Sequence, residues 1–564
     1  MSIDATSSDG LSILKGLPLG EEPGIGTLTL PGFLRDVTEK YATREALVMR
    51  TPDGVVRWTY KELWDRSVEV ARALIACGIG KDSRVGVLMT NRPEWLSSFF
   101  GVGLAGGVGV AISTFSTPPE LEYLLQASGI SILLLERNVG KRDFESVLLD
   151  MEPALLTAEP GKLSSTKFPF LRRVAVVDQS TTQGEFESWS EFLALGEAIS
   201  PALVDATAAS VKPSDTGGLF FSSGSTAKPK GILNSHRGMA LQCWRMKRIF
   251  ALGDDARTWM ANAFFWSGNF ATGMGPTLAA GGSLVLQAMF NPEEALRLMQ
   301  EERVTYPVAW PHQWAQLVGA SNWNDVNLSS LRYVDPDVAL AKHPTIKSTW
   351  HEPRWAYGNT ETFTLSTVWR ANTPIEVAGT SHGEPLPGNT IKIVDPVTGA
   401  IVPRGERGEI AVKGPTLMQG YLGKTNDETL DQDGFFATGD GGYIDDKGRL
   451  FWEGRLNDII KTGGANVSPL EIDDALVPYP GVKAVKTVGV PHETLGEIVV
   501  ACIVPHEGAA LAEDAVRDYL KAHLASYKVP RRVLFFAESD LALTGSSKIK
   551  TSDLRELAAK RLSA

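Results

Sequence analysis

Phe220-Phe221-Ser222-Ser223-Gly224-Ser225-Thr226-Ala227-Lys228-Pro229-Lys230-Gly231 is the stretch on which the fold turns. An apolar run suited to a buried strand passes into hydroxyls and a glycine, then into two lysines, ahead of a helix expected from Arg237. Such a loop can wrap phosphate oxygens with backbone N–H groups and hydroxyls while a lysine supplies the counter-charge. It is not the P-loop of nucleotide hydrolases. Counting from Gly224, the position that should be glycine holds Pro229, and no Gly-Lys-Ser/Thr follows. Taken alone, the stretch reads equally well as a surface Ser/Thr/Gly loop.

Around it, amphipathic helices alternate with short β-branched runs. Thr59 with Glu62 has the form of a capping box, and the helix it opens carries Leu63, Val70, Leu74 and Ile75 toward a stop at Gly78. Asn291-Pro292-Glu293 reads as a cap, a first-turn proline and an acidic first turn. The runs 84–89, 131–135, 173–177, 218–221 and 283–286 are nearly continuous apolar strands, the pattern of sheets buried on both faces. The expected class is α/β, with mixed or parallel sheets flanked by helices. After about Gly383, glycine, proline, aspartate and lysine become frequent and short strands follow one another between turns. We expect a large N-terminal domain over 1–455 and a small α+β domain over 456–564. The small domain should hold strand runs 484–490, 498–504 and 532–536 and a helix over 513–524.

Composition sets the outer limits. A chain of 564 residues exceeds the size at which a single core stops growing. Its formal charge of −11, with both signs interspersed, offers no basic face for nucleic acid. Three scattered cysteines (Cys77, Cys243, Cys502) make neither a disulfide framework nor a zinc site, so a reducing cytoplasm is expected. Asp4 and Asp9 stand where a signal peptide would be basic and apolar, and no run reaches the length of a membrane span.

Further elements follow the loop in a fixed order: Tyr357-Gly358-Asn359-Thr360-Glu361, Thr438-Gly439-Asp440, Gly454-Arg455 through Asn466-Val467-Ser468-Pro469-Leu470-Glu471, and Lys548. Gly383 to Gly388, Gly420-Tyr421 and Ala525 to Pro530 support them. Each is weak alone, since an aspartate after Thr-Gly is readily a turn residue and a lone lysine a solvated charge. In this order they resemble the adenylate-forming (AMP-binding) superfamily, of the acyl-CoA synthetase type, from about Leu30 to the end of the chain. The resemblance implies ATP-dependent activation of a carboxylic acid to acyl-AMP, then transfer of the acyl group to coenzyme A. It also leaves room for a homodimer.

Residue by residue, it implies that Ser222, Ser223, Gly224, Ser225, Thr226, Lys228 and Lys230 hold the β- and γ-phosphates, Lys230 as a point charge. Thr360 would bond the α-phosphate, and Glu361 would hold Mg²⁺, a hard cation that takes oxygen ligands. Tyr357, with Gly358 and Asn359 beside it, would stack on adenine, although core packing explains a tyrosine there as well. Asp440 would accept the ribose hydroxyls, with Arg455 and Asn466 in support. Lys548 would meet the charge that builds as the carboxylate attacks phosphorus. The small domain would then turn about Asn457, withdraw Lys548 and present Gly463 and Gly464 to the pantetheine arm.

The acid is written more faintly. No aspartate lies near Ala263 to Gly268 to pair an ammonium, which argues against an α-amino acid. Trp266 would wall or gate the acyl pocket. Gly358 stands where acetate-specific relatives carry a tryptophan, so an open floor and an acid larger than acetate (fatty, alicyclic or aromatic) are expected. Several positions depart from the family pattern: Asp335-Pro336-Asp337 in the adenine stretch, Ala227, Asn457, Ser547 and Ala542. Buried carboxylates beside a purine are costly unless paired. The first departure therefore keeps two other readings in view, a protein that performs only thioester formation and a non-catalytic binding homologue.

Overall fold

The computed structural model describes residues 10–179, 181–222, 228–456, 460–467, 469–537 and 551–563. The loop residues Ser223, Gly224, Ser225, Thr226 and Ala227, the hinge residue Asn457, and Ala542, Ser547 and Lys548 lie outside the described residues.

An eight-stranded sheet forms the heart of the large domain. Its parallel run passes through Phe186–Ser188, Arg173–Val176, Ile132–Leu135, Arg84–Leu88, Val108–Ala111 and Thr216–Ser222. These short apolar strands are buried on both faces, as their composition predicts. Val85 and Val87 pack in one layer with Trp95 and Phe99 of helix Pro93–Leu104, while Leu88 and Leu133 pack in the other with Leu121 and Leu148. The sheet ends with Lys230–Ser235 and Gly420–Tyr421, both antiparallel to their neighbours. Helix Tyr60–Ala76 begins at the Thr59/Glu62 capping box and stops before Gly78, whose φ is +80°.

A second sheet of five strands runs Tyr306–Val308, Arg257–Met260, Ser283–Leu286, Glu45–Thr51 and Gly54–Thr59. Helix Pro292–Glu301 packs on it through Ala295, Leu296, Leu298 and Met299 and is capped by Asn291. A third, antiparallel sheet joins Ile13–Lys15, Thr390–Val394, Gly408–Lys413, Phe436–Ile444 and Leu450–Arg455.

Beyond residue 460 the chain builds a separate sheet from Ala465–Val467, Ile460–Thr462, Gly496–Pro505, Val482–His492 and Arg532–Phe535. Helices Pro469–Leu476 and Glu513–His523 cover one apolar cluster of this unit, and helix Thr551–Ser563 covers another. Among the described residues no helix is long and apolar enough to cross a membrane.

Candidate active site

Ser222 ends one strand and Lys230 begins the next, and the two are paired across the antiparallel ladder. The Ser/Thr/Gly stretch therefore links two neighbouring antiparallel strands of the sheet. Lys228 Nζ lies 5.1 Å from the centre of the Tyr123 ring, and Lys230 Nζ lies 5.1 Å from that of Tyr421.

Thr360, Glu361 and Thr362 form one short turn of 3₁₀ helix, capped by Asn359 Oδ1, which accepts from Thr362 N at 3.0 Å. Glu361 is held twice. Its carboxylate Oε1 accepts from the Tyr421 hydroxyl at 2.8 Å, and its carbonyl accepts from Met418 N at 2.6 Å. Among the described residues no group of three or more His, Cys, Asp or Glu side chains converges as a metal site. A single anchored carboxylate still fits Mg²⁺, which is commonly bound by one or two carboxylates together with substrate phosphates.

Tyr357 brings a second motif in. Its hydroxyl meets Thr438 Oγ1 at 2.9 Å and Asp440 Oδ2 at 3.0 Å, so two motifs far apart in sequence share one hydrogen-bonded spot. The ring is 4% exposed and packs with Leu14, Ile391, Ile410 and Leu450. Core packing is thus what the structure shows of Tyr357. Asp440 is buried beside it and stands opposite Arg455 in the strand ladder. Asn466 lies in strand Ala465–Val467, opposite Lys461.

Asp335 finds the partners that burial demands. Arg354 Nη2 lies 3.3 Å from both of its oxygens, Glu352 N donates to Oδ2 at 2.9 Å, and Asp337 N donates to Oδ1 at 2.9 Å. Arg354 also reaches Asp337 at 2.7 Å. The acidic stretch is therefore a hydrogen-bonded turn whose two aspartates share Arg354. Burial, reinforced by the Asp335 charge, raises the pKa of Glu352 to about 7.

Gly358 does not open a pocket floor, contrary to the expectation drawn from sequence. A Cβ on Gly358 would run into the carbonyl oxygen of Thr364 and stand 2.6 Å from its carbonyl carbon. The backbone turns back on the glycine because Phe363 and Thr364 take φ of +46° and +84°. Gln242 Nε2 pins that turn, donating at 2.9 Å to the carbonyls of both Phe363 and Leu365. Gly358 is required here by close backbone approach.

Trp266 lines a cavity of about 540 Å³ between the large domain and the small unit. Its ring meets Tyr527 of the small unit edge to face at 5.7 Å. Gly463 and Gly464, at φ of +55° and +82°, face the large domain. A Cβ on Gly463 would be 2.9 Å from His312 Nδ1, and one on Gly464 would be 2.6 Å from Trp310 Cδ2. Burial and the nearby Arg531 push the His312 pKa down. Arg517, Lys521 and Arg531 also line the cavity.

The docking is fixed by a buried ion cluster that sequence reading did not find. Lys528 Nζ lies 2.7 Å from Glu471 Oε1 and 3.1 Å from Glu120 Oε1 of helix Pro118–Ser128, with the three side chains 3%, 5% and 10% exposed. Glu120 Oε1 also accepts from Ala525 N at 3.0 Å. Glu120 sits 408 residues from Lys528, and its sequence neighbourhood announces only a helix cap.

A protein-family model described as AMP-binding enzyme matches residues 34–422, and a second, described as AMP-binding enzyme C-terminal domain, matches residues 471–548. The 3-[(3aS,4S,7aS)-7a-methyl-1,5-dioxo-octahydro-1H-inden-4-yl]propanoyl:CoA ligase of Rhodococcus jostii (strain RHA1) is 30% identical over 538 residues, covering 94% of this chain and 98% of that protein. A feruloyl-CoA synthase of Amycolatopsis sp. is 30% identical over 520 residues, covering 89% and 94%. Among solved structures, the amide bond synthetase McbA of Marinactinospora thermotolerans superposes with a TM-score of 0.72 at 24% identity, over 93% of this chain and 99% of that one.

Proposed function

The chain belongs to the AMP-binding enzyme family and is an acid–thiol ligase of the acyl-CoA synthetase kind, and on that premise we propose how its own residues divide the work. In the first half-reaction a carboxylate oxygen attacks the α-phosphorus of ATP, the bond to pyrophosphate breaks, and acyl-AMP forms. Ser222 to Lys230 hold the β- and γ-phosphates, and Lys230 offsets their charge. Thr360 donates to the α-phosphate. Glu361 would hold Mg²⁺, which supplies charge neutralisation on the phosphates when bound. Asp440, set by Tyr357, receives the ribose hydroxyls, and Arg455 and Asn466 support it. Lys548 stabilises the charge at the reacting centre.

In the second half-reaction the thiol sulfur attacks the acyl carbonyl carbon, the thiol proton is lost, and AMP leaves. Gly463 and Gly464 form the wall past which pantetheine reaches the acyl group. The division falls between residues 455 and 456, with Asn457 as the hinge.

The acid class rests on the relatives rather than on Gly358. Two proteins 30% identical to this chain are named for bulky alicyclic and aromatic acids. Together with the lack of an ammonium partner near Trp266, this supports an acid larger than acetate. The observation that carries the reading is the seating of the Gly463-Gly464 loop on Trp310 and His312 beside the inter-domain cavity, where a narrow thiol arm would pass. ATP–pyrophosphate exchange, followed by CoA-dependent thioester formation with the same acid, tests it. Exchange without thioester formation would remove the second half.

A further inference from the structure

Tyr421, left without a role by the motifs, touches both Lys230, assigned above to the phosphates, and Glu361, assigned to Mg²⁺. Tyr421 belongs to the two-residue strand Gly420–Tyr421, which pairs with Lys230–Ser235 in the register Ile232↔Tyr421. Its segment is tied by backbone to Glu361 and to the residue after Lys230: Met418 N donates to the Glu361 carbonyl at 2.6 Å, and Leu422 N donates to the Gly231 carbonyl at 2.8 Å. The side chain adds to these ties. Its hydroxyl donates to Glu361 Oε1 at 2.8 Å, and its ring centre lies 5.1 Å from Lys230 Nζ. Phe436 packs edge-on against the same ring at 6.3 Å and fixes its plane.

We propose that Tyr421 is a positioning residue for adenylation, aiming the Glu361 carboxylate through its hydroxyl and holding the Lys230 ammonium against its ring. Glu361 and Lys230 carry opposite charges, and Tyr421 contacts both of them. A phenol has chemistry suited to each, a donor toward the carboxylate and an electron-rich face toward the ammonium. With one carboxylate oxygen engaged, the other is presented in a fixed direction, which matters for an ion that demands near-ideal octahedral geometry. The inference rests on the ligase reading, but it separates two contributions that the reading alone does not distinguish.

Two variants separate them. Tyr421→Phe removes the hydroxyl and keeps the ring packed on Phe436. The Mg²⁺ concentration at half-maximal ATP–pyrophosphate exchange should rise about tenfold and kcat of exchange should fall about tenfold, while the Kd for ATP measured calorimetrically in EDTA stays within about twofold. Tyr421→Leu also removes the ring, and the metal-free Kd for ATP should then weaken about fivefold. In both variants thioester formation from synthetic acyl-adenylate should match the wild type, which a merely structural role would not allow. Unchanged Mg²⁺ dependence in the Phe variant, or equal loss in both half-reactions, would overturn the role of Tyr421 and leave the ligase reading standing. Absence of both exchange and ATP binding in the wild type would overturn the two together.

Discussion

Replacing Glu120 by glutamine removes one negative charge from the buried cluster that ties the small domain to the large one. In the native protein one carboxylate oxygen, Oε1, receives Lys528 Nζ at 3.1 Å and Ala525 N at 3.0 Å, while Oε2 receives Thr117 N at 2.9 Å and its hydroxyl at 3.1 Å. An amide has a single acceptor oxygen, so the glutamine of the Glu120→Gln variant can serve the helix cap or the small domain but not both. Burial works against the charge of Lys528, yet Tyr527, Glu471 and Glu120 together hold its pKa above the ordinary lysine range. Lys528 keeps Glu471 in the variant, so the cost is not that of an orphaned buried charge. It is the loss of a charge-assisted contact and a backbone bond, about 1–3 kcal/mol, or about 5- to 150-fold in the docked population. Because this docking brings Gly463 and Gly464 to Trp310, the loss should fall on the second half-reaction. Stopped-flow thioester formation from synthetic acyl-adenylate should slow by about that factor, while ATP–pyrophosphate exchange holds or rises. Equal slowing of both, or of neither, would refute the link between the ion cluster and thioester transfer.

The opposite asymmetry is expected at the other end of the domain: Lys548→Ala should cost about 10²–10³-fold in pyrophosphate exchange while largely sparing thioester formation, as measured by the same pair of assays. Gly358→Ala should destabilise the large domain by about 3 kcal/mol whatever the acid, because its Cβ meets backbone. Thermal unfolding checks this, and a folded variant with altered acid preference would contradict it. Asp473 accepts from Thr487 N, and burial raises its pKa from 3.8 to about 6. The folded state thus binds this proton more tightly than the unfolded chain, so the contribution of Asp473 to stability is fully present below pH 4 and is lost as pH rises to about 6, by about 3 kcal/mol at most. Asp473→Asn keeps the acceptor and should flatten that slope in unfolding experiments across the same range.

What could be read in the sequence was local or strictly ordered. The Thr59/Glu62 and Asn291 caps lie within one turn of what they cap, and the parallel strands are apolar on both faces, so helices and sheets fell close to their expected bounds. Contacts set by non-glycine residues in unusual conformations were not legible. Phe363 and Thr364 give no hint in sequence of their positive φ, and so Gly358 looked like open space when the chain folds back onto it. Asp335 looked costly because Arg354 could not be known as its partner. Tyr421 and Glu120 belong to the same class, since a hydroxyl or a carboxylate declares its chemistry in sequence but not which distant group it meets.

The measurement that tests the central claim most directly is AMP release across a panel of fatty, alicyclic, aromatic and short carboxylic acids, with ATP and Mg²⁺, in the presence and absence of CoA. The account predicts that at least one acid larger than acetate gives AMP and its acyl-CoA in equal amounts, that without CoA pyrophosphate release stops near one equivalent per enzyme with AMP retained as acyl-AMP, and that acetate is poor. Acetate as the preferred acid, or thioester formation only from pre-made acyl-adenylate, would contradict it.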